Sequence, residues 1–285
     1  MHLIQSRCIL KNTGLDVYML DHVVIGDSSS PIVAVLHGIF GAGNNWRSFV
    51  QHWRRARPDL CFVLIDLRNH GDSPHFDEDN TLAQCAQEVL DLQETVGDFR
   101  AIVGHSFGGK VALQCAAIPM ISDIEQVWAL DSFPGALDSN DRDQNDVQSV
   151  LSWLRGVPMP VAKRSVVKKH LIEKGATTMM AQWMTTNLSR TPEGFVWRFH
   201  LDGIEELLQD YFQTDLWYTL EYPNPQMTTH LVRALQSDRW DAESIERLED
   251  LGAEQYQTID AGHWVHVDNP IGLLALLKDA VLPLE

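Results

Sequence analysis

Five consecutive residues, Gly104-His105-Ser106-Phe107-Gly108, set a serine between two glycines in the spacing G-x-S-x-G. A serine hydroxyl is barely ionised at neutral pH and becomes a nucleophile only when a base removes its proton. The flanks of the pentapeptide supply the geometry such chemistry needs. Phe99 to Val103 is short and mostly apolar and reads as a buried strand; Gly109 to Ala117 reads as a helix. On a tight turn between them the serine stands exposed, and the small residues two before and two after it let the turn close. The helix that follows aims its N-terminal N–H groups at the reaction site.

The base must come from elsewhere in the chain. Of the twelve histidines, His263 follows the last expected strand on a Gly262 turn and comes after the serine. That is the order serine, acid, histidine expected where a serine sits on a strand-to-helix elbow. His266 completes an H-x-x-H spacing, but no further ligands cluster there, so no metal is expected. Serine chemistry of this kind needs no cofactor. The negative charge that develops on the attacked carbonyl needs two backbone N–H groups. Phe107 supplies one; the loop after His37-Gly38 supplies the other, through Ile39 or its neighbour Phe40. His37 itself is expected to hold that loop.

Composition bounds what these residues serve. The 285 residues carry 39 acidic and 22 basic side chains, a formal net charge of −17. That excludes a nucleic-acid partner, which needs concentrated Lys and Arg, and disfavours anionic membranes. No stretch approaches 18 uninterrupted apolar residues, so no membrane span is expected. The segment from Met1 to Arg7 lacks the apolar core of a signal peptide. Cys8, Cys61, Cys85 and Cys115 are scattered and read as free thiols in a reducing, cytoplasmic compartment. One stretch runs against the acidic balance. Arg155, Lys163, Arg164, Lys168, Lys169 and Lys174 are opposed there only by Glu173. It is either the solvated face of a helix or, near a pocket mouth, an attractor for an anionic leaving group such as the phosphates of coenzyme A.

The elements that must position the chemistry follow in order. Residues 6–11 and 16–26 read as strands joined at Asn12-Thr13-Gly14. Ile32–Leu36 and Cys61–Ile65 are apolar runs typical of strands buried on both faces. Helices are expected over Asn45–Arg57 and Thr81–Val96. Gln126–Leu130 is the next strand, ending at Asp131-Ser132-Phe133-Pro134. The alternation then stops. Residues 136–225, opening with a charged stretch from Asp138 to Asp146, look mainly helical and end at Pro223 and Pro225. They read as a cap inserted into a core made of 1–135 and 226–285. Thr229–Leu235 resumes the strands, Asp241 caps a helix over 242–251, Gln255–Ile259 is the last strand, and Asn269-Pro270 opens the final helix. Alternating strands and helices mean an α/β fold, a mostly parallel twisted sheet with helices on both faces.

Four motifs together resemble the α/β-hydrolases over nearly the whole chain. They are His37-Gly38-Ile39-Phe40-Gly41, Asp66-Leu67-Arg68-Asn69-His70-Gly71-Asp72-Ser73, Gly104 to Lys110, and Ala261-Gly262-His263-Trp264-Val265-His266. The second of these, with Asp131 to Pro134 and Gly194 to Asp202, resembles a branch of small bacterial carboxylesterases and acyl-thioesterases with mitochondrial relatives. The resemblance implies a Ser106-His263-acid triad that hydrolyses esters or thioesters of small acyl groups through an acyl-enzyme, with acyl-CoA as one candidate substrate. Many relatives place the acid after the strand that follows the cap, where Leu235-Gln236-Ser237-Asp238 stands. In the resembling branch a serine holds that position, matching Ser237, and the acid comes from the earlier strand end, matching Asp131. Asp131 is the favoured acid and Asp238 the alternative. Phe40, Trp264 and Ser237 are the candidate substrate-binding residues, and Arg68 and Asn69 are expected to be structural pins. An aspartate-based hydrolysis is excluded by Ser106. Other serine-based reactions of the fold (carbon–carbon hydrolysis, haloperoxidase or lyase chemistry) or an inactive ligand receptor stay open, as does the oligomeric state.

Overall fold

A computed structural model describes residues 18–119, 123–137 and 142–283, with residues 142–145 as backbone only. The strands are β1 His22–Ile25, β2 Ile32–Leu36, β3 Cys61–Ile65, β4 Phe99–His105, β5 Gln126–Leu130, β6 Leu188–Thr191, β7 Gly194–Trp197, β8 Thr228–Ala234 and β9 Tyr256–Ile259. Seven of them form one sheet in the order β1-β3-β2-β4-β5-β8-β9. β1 pairs antiparallel with β3; the other pairings of this sheet are parallel. The expected strand over 6–11, its turn at Asn12-Thr13-Gly14, Cys8 and residues 138–141 of the charged stretch lie outside the described residues.

Alternate side chains of each strand point to opposite faces, and here both faces are apolar. Ala34, Leu36, Val63, Ile65 and Ile102 pack on one side with the helices Leu82–Asp91 and Phe107–Ala117. Val33, Val35, Phe62, Leu64 and Val103 pack on the other with Arg47–Ala56 and Pro270–Ala280. Each fully buried Val, Leu, Ile or Phe contributes roughly 1.5–3 kcal/mol. Polar residues set the helix starts. Asp241 accepts from the Ser244 N–H at 2.7 Å, and Asn269 from the Gly272 N–H at 2.8 Å just before Pro270. Cys61, Cys85 and Cys115 are free and buried.

Between β5 and β8 stand the helices Arg142–Arg155, Arg164–Lys174, Thr178–Met184, Leu201–Gln213 and Trp217–Glu221. A third apolar cluster holds most of them together and reaches Phe40 of the core. Two features add to the sequence expectation. β6 and β7 form an antiparallel hairpin inside the stretch read as mainly helical, closed at Pro192-Glu193-Gly194, where Gly194 takes φ +144°. And Leu216, Trp217 and Leu220, within 136–225, pack in the cluster beneath the sheet. Among the described residues no helix is long and apolar enough to cross a membrane.

Candidate active site

Because β2, β4, β5, β8 and β9 run parallel, the loops after their C-terminal ends meet at one edge of the sheet. Ser106 follows β4 with φ 53° and ψ −120°, a conformation that costs a non-glycine residue about 1–3 kcal/mol. Its surroundings enforce it. The Ser106 N–H donates to the Leu130 carbonyl at 3.0 Å, and the Ser132 hydroxyl donates to the Ser106 carbonyl at 2.7 Å. A Cβ at Gly104 would collide with the Gly108 carbonyl, and one at Gly108 with the His37 carbonyl, so both glycines of the pentapeptide are sterically required.

The structure brings Ser106, His263 and Asp131 into one line. His263 Nε2 lies 3.1 Å from Ser106 Oγ, and His263 Nδ1 lies 2.7 Å from Asp131 Oδ2. A carboxylate only accepts, so Nδ1 carries the proton and Nε2 is free to accept from the serine. The buried His105 Nε2–H donates to the His263 carbonyl at 2.7 Å and fixes the histidine's backbone. Burial pushes the His263 imidazole below its ordinary value. The Arg239 cation pushes the same way, and the bond to Asp131 does not offset the two.

Asp131 has φ 42° and a fully buried side chain. Its Oδ1 accepts from the Ala234 N–H at 3.0 Å and the Trp240 Nε1–H at 2.8 Å. Burial alone would raise its carboxyl, but His263, Ser237 and Trp240 outweigh it and hold the group below the ordinary carboxylate value. Asp238 is exposed and acts on His263 through its charge, while Nδ1 faces Asp131. Ser237, expected among the substrate contacts, does not line the cavity described below; its buried hydroxyl acts on Asp131.

The loop after β2 is pinned on every side. His37 Nε2 accepts from the Leu67 N–H at 3.0 Å and its Nδ1–H donates to the Gly38 carbonyl at 2.8 Å. Burial lowers its pKa to about 4, so it is a neutral pin. Phe40 has φ 58°. Its N–H donates to His70 Nε2 at 3.2 Å, and its carbonyl accepts from Asn187 Nδ2 at 2.7 Å. The Phe40 N–H is therefore committed to His70. Among the described residues, neither the Ile39 nor the Phe107 N–H donates within the protein. In the neighbouring loop Asp66 accepts from the Gly43 N–H at 2.6 Å and the Asp72 N–H at 2.8 Å. Arg68 lies buried over the Phe76 ring and Asn69 bonds Asn80 at 2.6 Å, both structural.

A cavity of about 180 Å³ opens over Ser106 and His263. Ile39, Phe40, Phe107 and Trp264 border it, and Leu137, Val150, Leu208 and Phe212 form its apolar end. None of the six cations of the basic stretch lines it. Arg155 pairs with Asp202 and with Glu205, Arg164 holds the Thr185 and Leu188 carbonyls, and Lys169 faces Glu173 at 3.7 Å. Arg239 does line the cavity. His70, Ser132, Asn187 and Trp240 had no role from the sequence. His70 and Ser132 lie within the motifs that resemble the family and Trp240 stands two residues after Asp238, but nothing local marks Asn187.

The alpha/beta hydrolase family model matches residues 33–276. The sn-1-specific diacylglycerol lipase ABHD11 of Mus musculus is 27% identical over 93% of this chain and 84% of its own length. The esterase YbfF of Escherichia coli strain K12 is 26% identical over 88% of this chain and 92% of its own. Among solved structures, a marine microorganism esterase superposes with a TM-score of 0.80 at 22% identity, covering 93% of this chain and 100% of that one. By the match over residues 33–276, the chain belongs to the alpha/beta hydrolase family.

Proposed function

We propose that the chain is a serine hydrolase that cleaves esters or thioesters of small acyl groups. The observation that carries this reading is the hydrogen-bonded line Ser106-His263-Asp131, at 3.1 and 2.7 Å, beneath a small apolar cavity. The names of the relatives, a lipase and an esterase, agree with it. His263 Nε2 takes the hydroxyl proton as Ser106 Oγ attacks the carbonyl carbon. The Ile39 and Phe107 N–H groups receive the oxyanion, and Asp131 holds the Nδ1 tautomer and stabilises the imidazolium. The imidazolium then protonates the departing alkoxide or thiolate. Water, deprotonated by the same nitrogen, attacks the acyl-enzyme, and the carboxylic acid leaves with Ser106 restored. No cofactor enters these steps. The segment 136–225 serves as the cap that closes the acyl end of the cavity, and a volume of about 180 Å³ suits short acyl chains.

Labelling with a fluorophosphonate tests the nucleophile, and p-nitrophenyl esters and acyl-CoAs of graded chain length test the substrate. Wild-type protein should label and turn over short esters. Ser106→Ala should fold, not label, and lose several powers of ten in kcat. A wild-type protein that neither labels nor hydrolyses would instead be an inactive ligand receptor.

A further inference from the structure

A second cavity, of about 590 Å³, adjoins the first and shares Met180, Trp183 and Trp264 with it. The Trp183 and Trp264 rings meet edge-on at 4.4 Å between centroids. Resting on the hydrolase reading above, we propose that this groove holds the alcohol half of the ester, and that this half is apolar and uncharged.

Position is the first argument. In acyl transfer to Ser106 the oxyanion turns toward the Ile39 and Phe107 amides, and His263 Nε2 must reach the leaving oxygen. The alcohol therefore extends on the histidine side. The core wall of the groove is Trp264, His266 and Val267, which follow His263 directly, with Asp238 from the loop after β8. The opposite end of the first cavity, where Tyr211 packs on Phe107 with ring centroids 5.8 Å apart, is left for the acyl chain.

Chemistry is the second argument. Met179 and Val267 on the groove are 62% and 55% exposed. Large apolar side chains held in water beside a reaction site gain by covering with an apolar group. Met and Trp also adapt to irregular alkyl shapes. Among the described residues the groove's lining holds no Lys or Arg. The phosphates of coenzyme A do not suit such a surface; an alkyl alcohol does.

Two isomeric esters separate the halves. Hexyl acetate has its carbon chain on the alcohol, methyl heptanoate on the acyl group, so total hydrophobicity is nearly matched. For the wild type, lengthening the alcohol of an acetate from methyl to hexyl should raise kcat/KM, by up to about fourfold per buried methylene. In V267D/M179D the ratio of kcat/KM for hexyl acetate over methyl heptanoate should fall about tenfold or more. Both sites are exposed, so the fold should persist; Val267→Trp, which fills the groove without charging it, should lower the same ratio. An unchanged or raised ratio in both variants, or a wild type that hydrolyses methyl heptanoate but gains nothing from a longer alcohol, overturns the groove alone. A wild type that hydrolyses no ester and takes no fluorophosphonate overturns the hydrolase reading and the groove with it.

Discussion

Asn187 Nδ2 donates to the Phe40 carbonyl at 2.7 Å, joining residues 147 positions apart. The bond ties the segment between β5 and β8 to the loop that carries the Ile39 amide. Phe40 has φ 58°, and its N–H is held by His70 at 3.2 Å. A side chain thus restrains each polar group of one strained residue. Truncating Asn187 to Ala frees the carbonyl and loosens the neighbouring amide, which as the proposed oxyanion donor must be placed to within a fraction of an ångström. Asn187→Ala should lower kcat by roughly 10–100-fold while KM moves little. Steady-state kinetics on one short ester, with a thermal melt to show that the fold persists, check it.

The two aspartates near His263 should differ sharply on substitution. Asp131 receives three hydrogen bonds, from His263, Ala234 and Trp240, in full burial. An amide there can donate, favours the wrong imidazole tautomer and cannot stabilise the cation. Asp131→Asn should cost about 10³–10⁴ in kcat. Asp238→Asn, at an exposed site whose charge acts on His263 without holding Nδ1, should cost less than about tenfold. Parallel kcat measurements on the two variants decide it.

The acid limb of the pH profile follows from the histidine's surroundings. Only neutral His263 accepts the serine proton. Burial and the Arg239 cation disfavour the imidazolium, so the ring loses its proton below the ordinary histidine value of 6.5. Activity should therefore hold as pH falls past 6.5 and decline only at lower pH. Removing the cation in Arg239→Gln withdraws one of the two causes, so the inflection should move up. The dependence of kcat/KM on pH, which reports the free enzyme, measures both.

How far the sequence foretells such features depends on how local their causes are. β2, β3 and β5 coincide with the apolar runs read for them, because strands buried on both faces need no register to be recognised. The hairpin β6–β7 escapes the sequence reading because its strands have four residues each and β7 is half-buried throughout, with no alternation to read. Phe195 is anchored by a bridge to Val161, far back in the chain. Ser106 and His263 stand in motifs a few residues long. The acid could not be settled locally, because what surrounds Asp131 comes from the pairing of β5 with β8: its N–H reaches the Val232 carbonyl and its Oδ1 the Ala234 N–H. Asn187 was invisible for the same reason.

Lys110, on the helix that begins behind Ser106, is fully buried. Its Nζ donates to the carbonyls of Gly135 and Tyr211, each at 2.7 Å, and stands 4.4 Å over the Tyr211 ring. It therefore ties the helix Phe107–Ala117 to Leu201–Gln213, the helix that supplies Leu208 and Phe212 to the cavity. Burial lowers its pKa from 10.5 to about 7, against the pull of Asp215 and Asp210. The sign follows from proton counting. Between pH 7 and 10.5 the unfolded chain holds a proton that the folded one has released, so raising the pH favours folding. Below pH 7 both states are charged and the full cost of burying the cation is present. Relative to Lys110→Met, the wild type should gain about 2 kcal/mol of stability from pH 7 to pH 9. Guanidinium unfolding of both proteins at the two pH values checks the difference, and charges elsewhere cancel in the comparison. A difference that stays flat over this range would mean that the lysine keeps its proton in the folded state, held as an ammonium by its two carbonyls and the tyrosine ring.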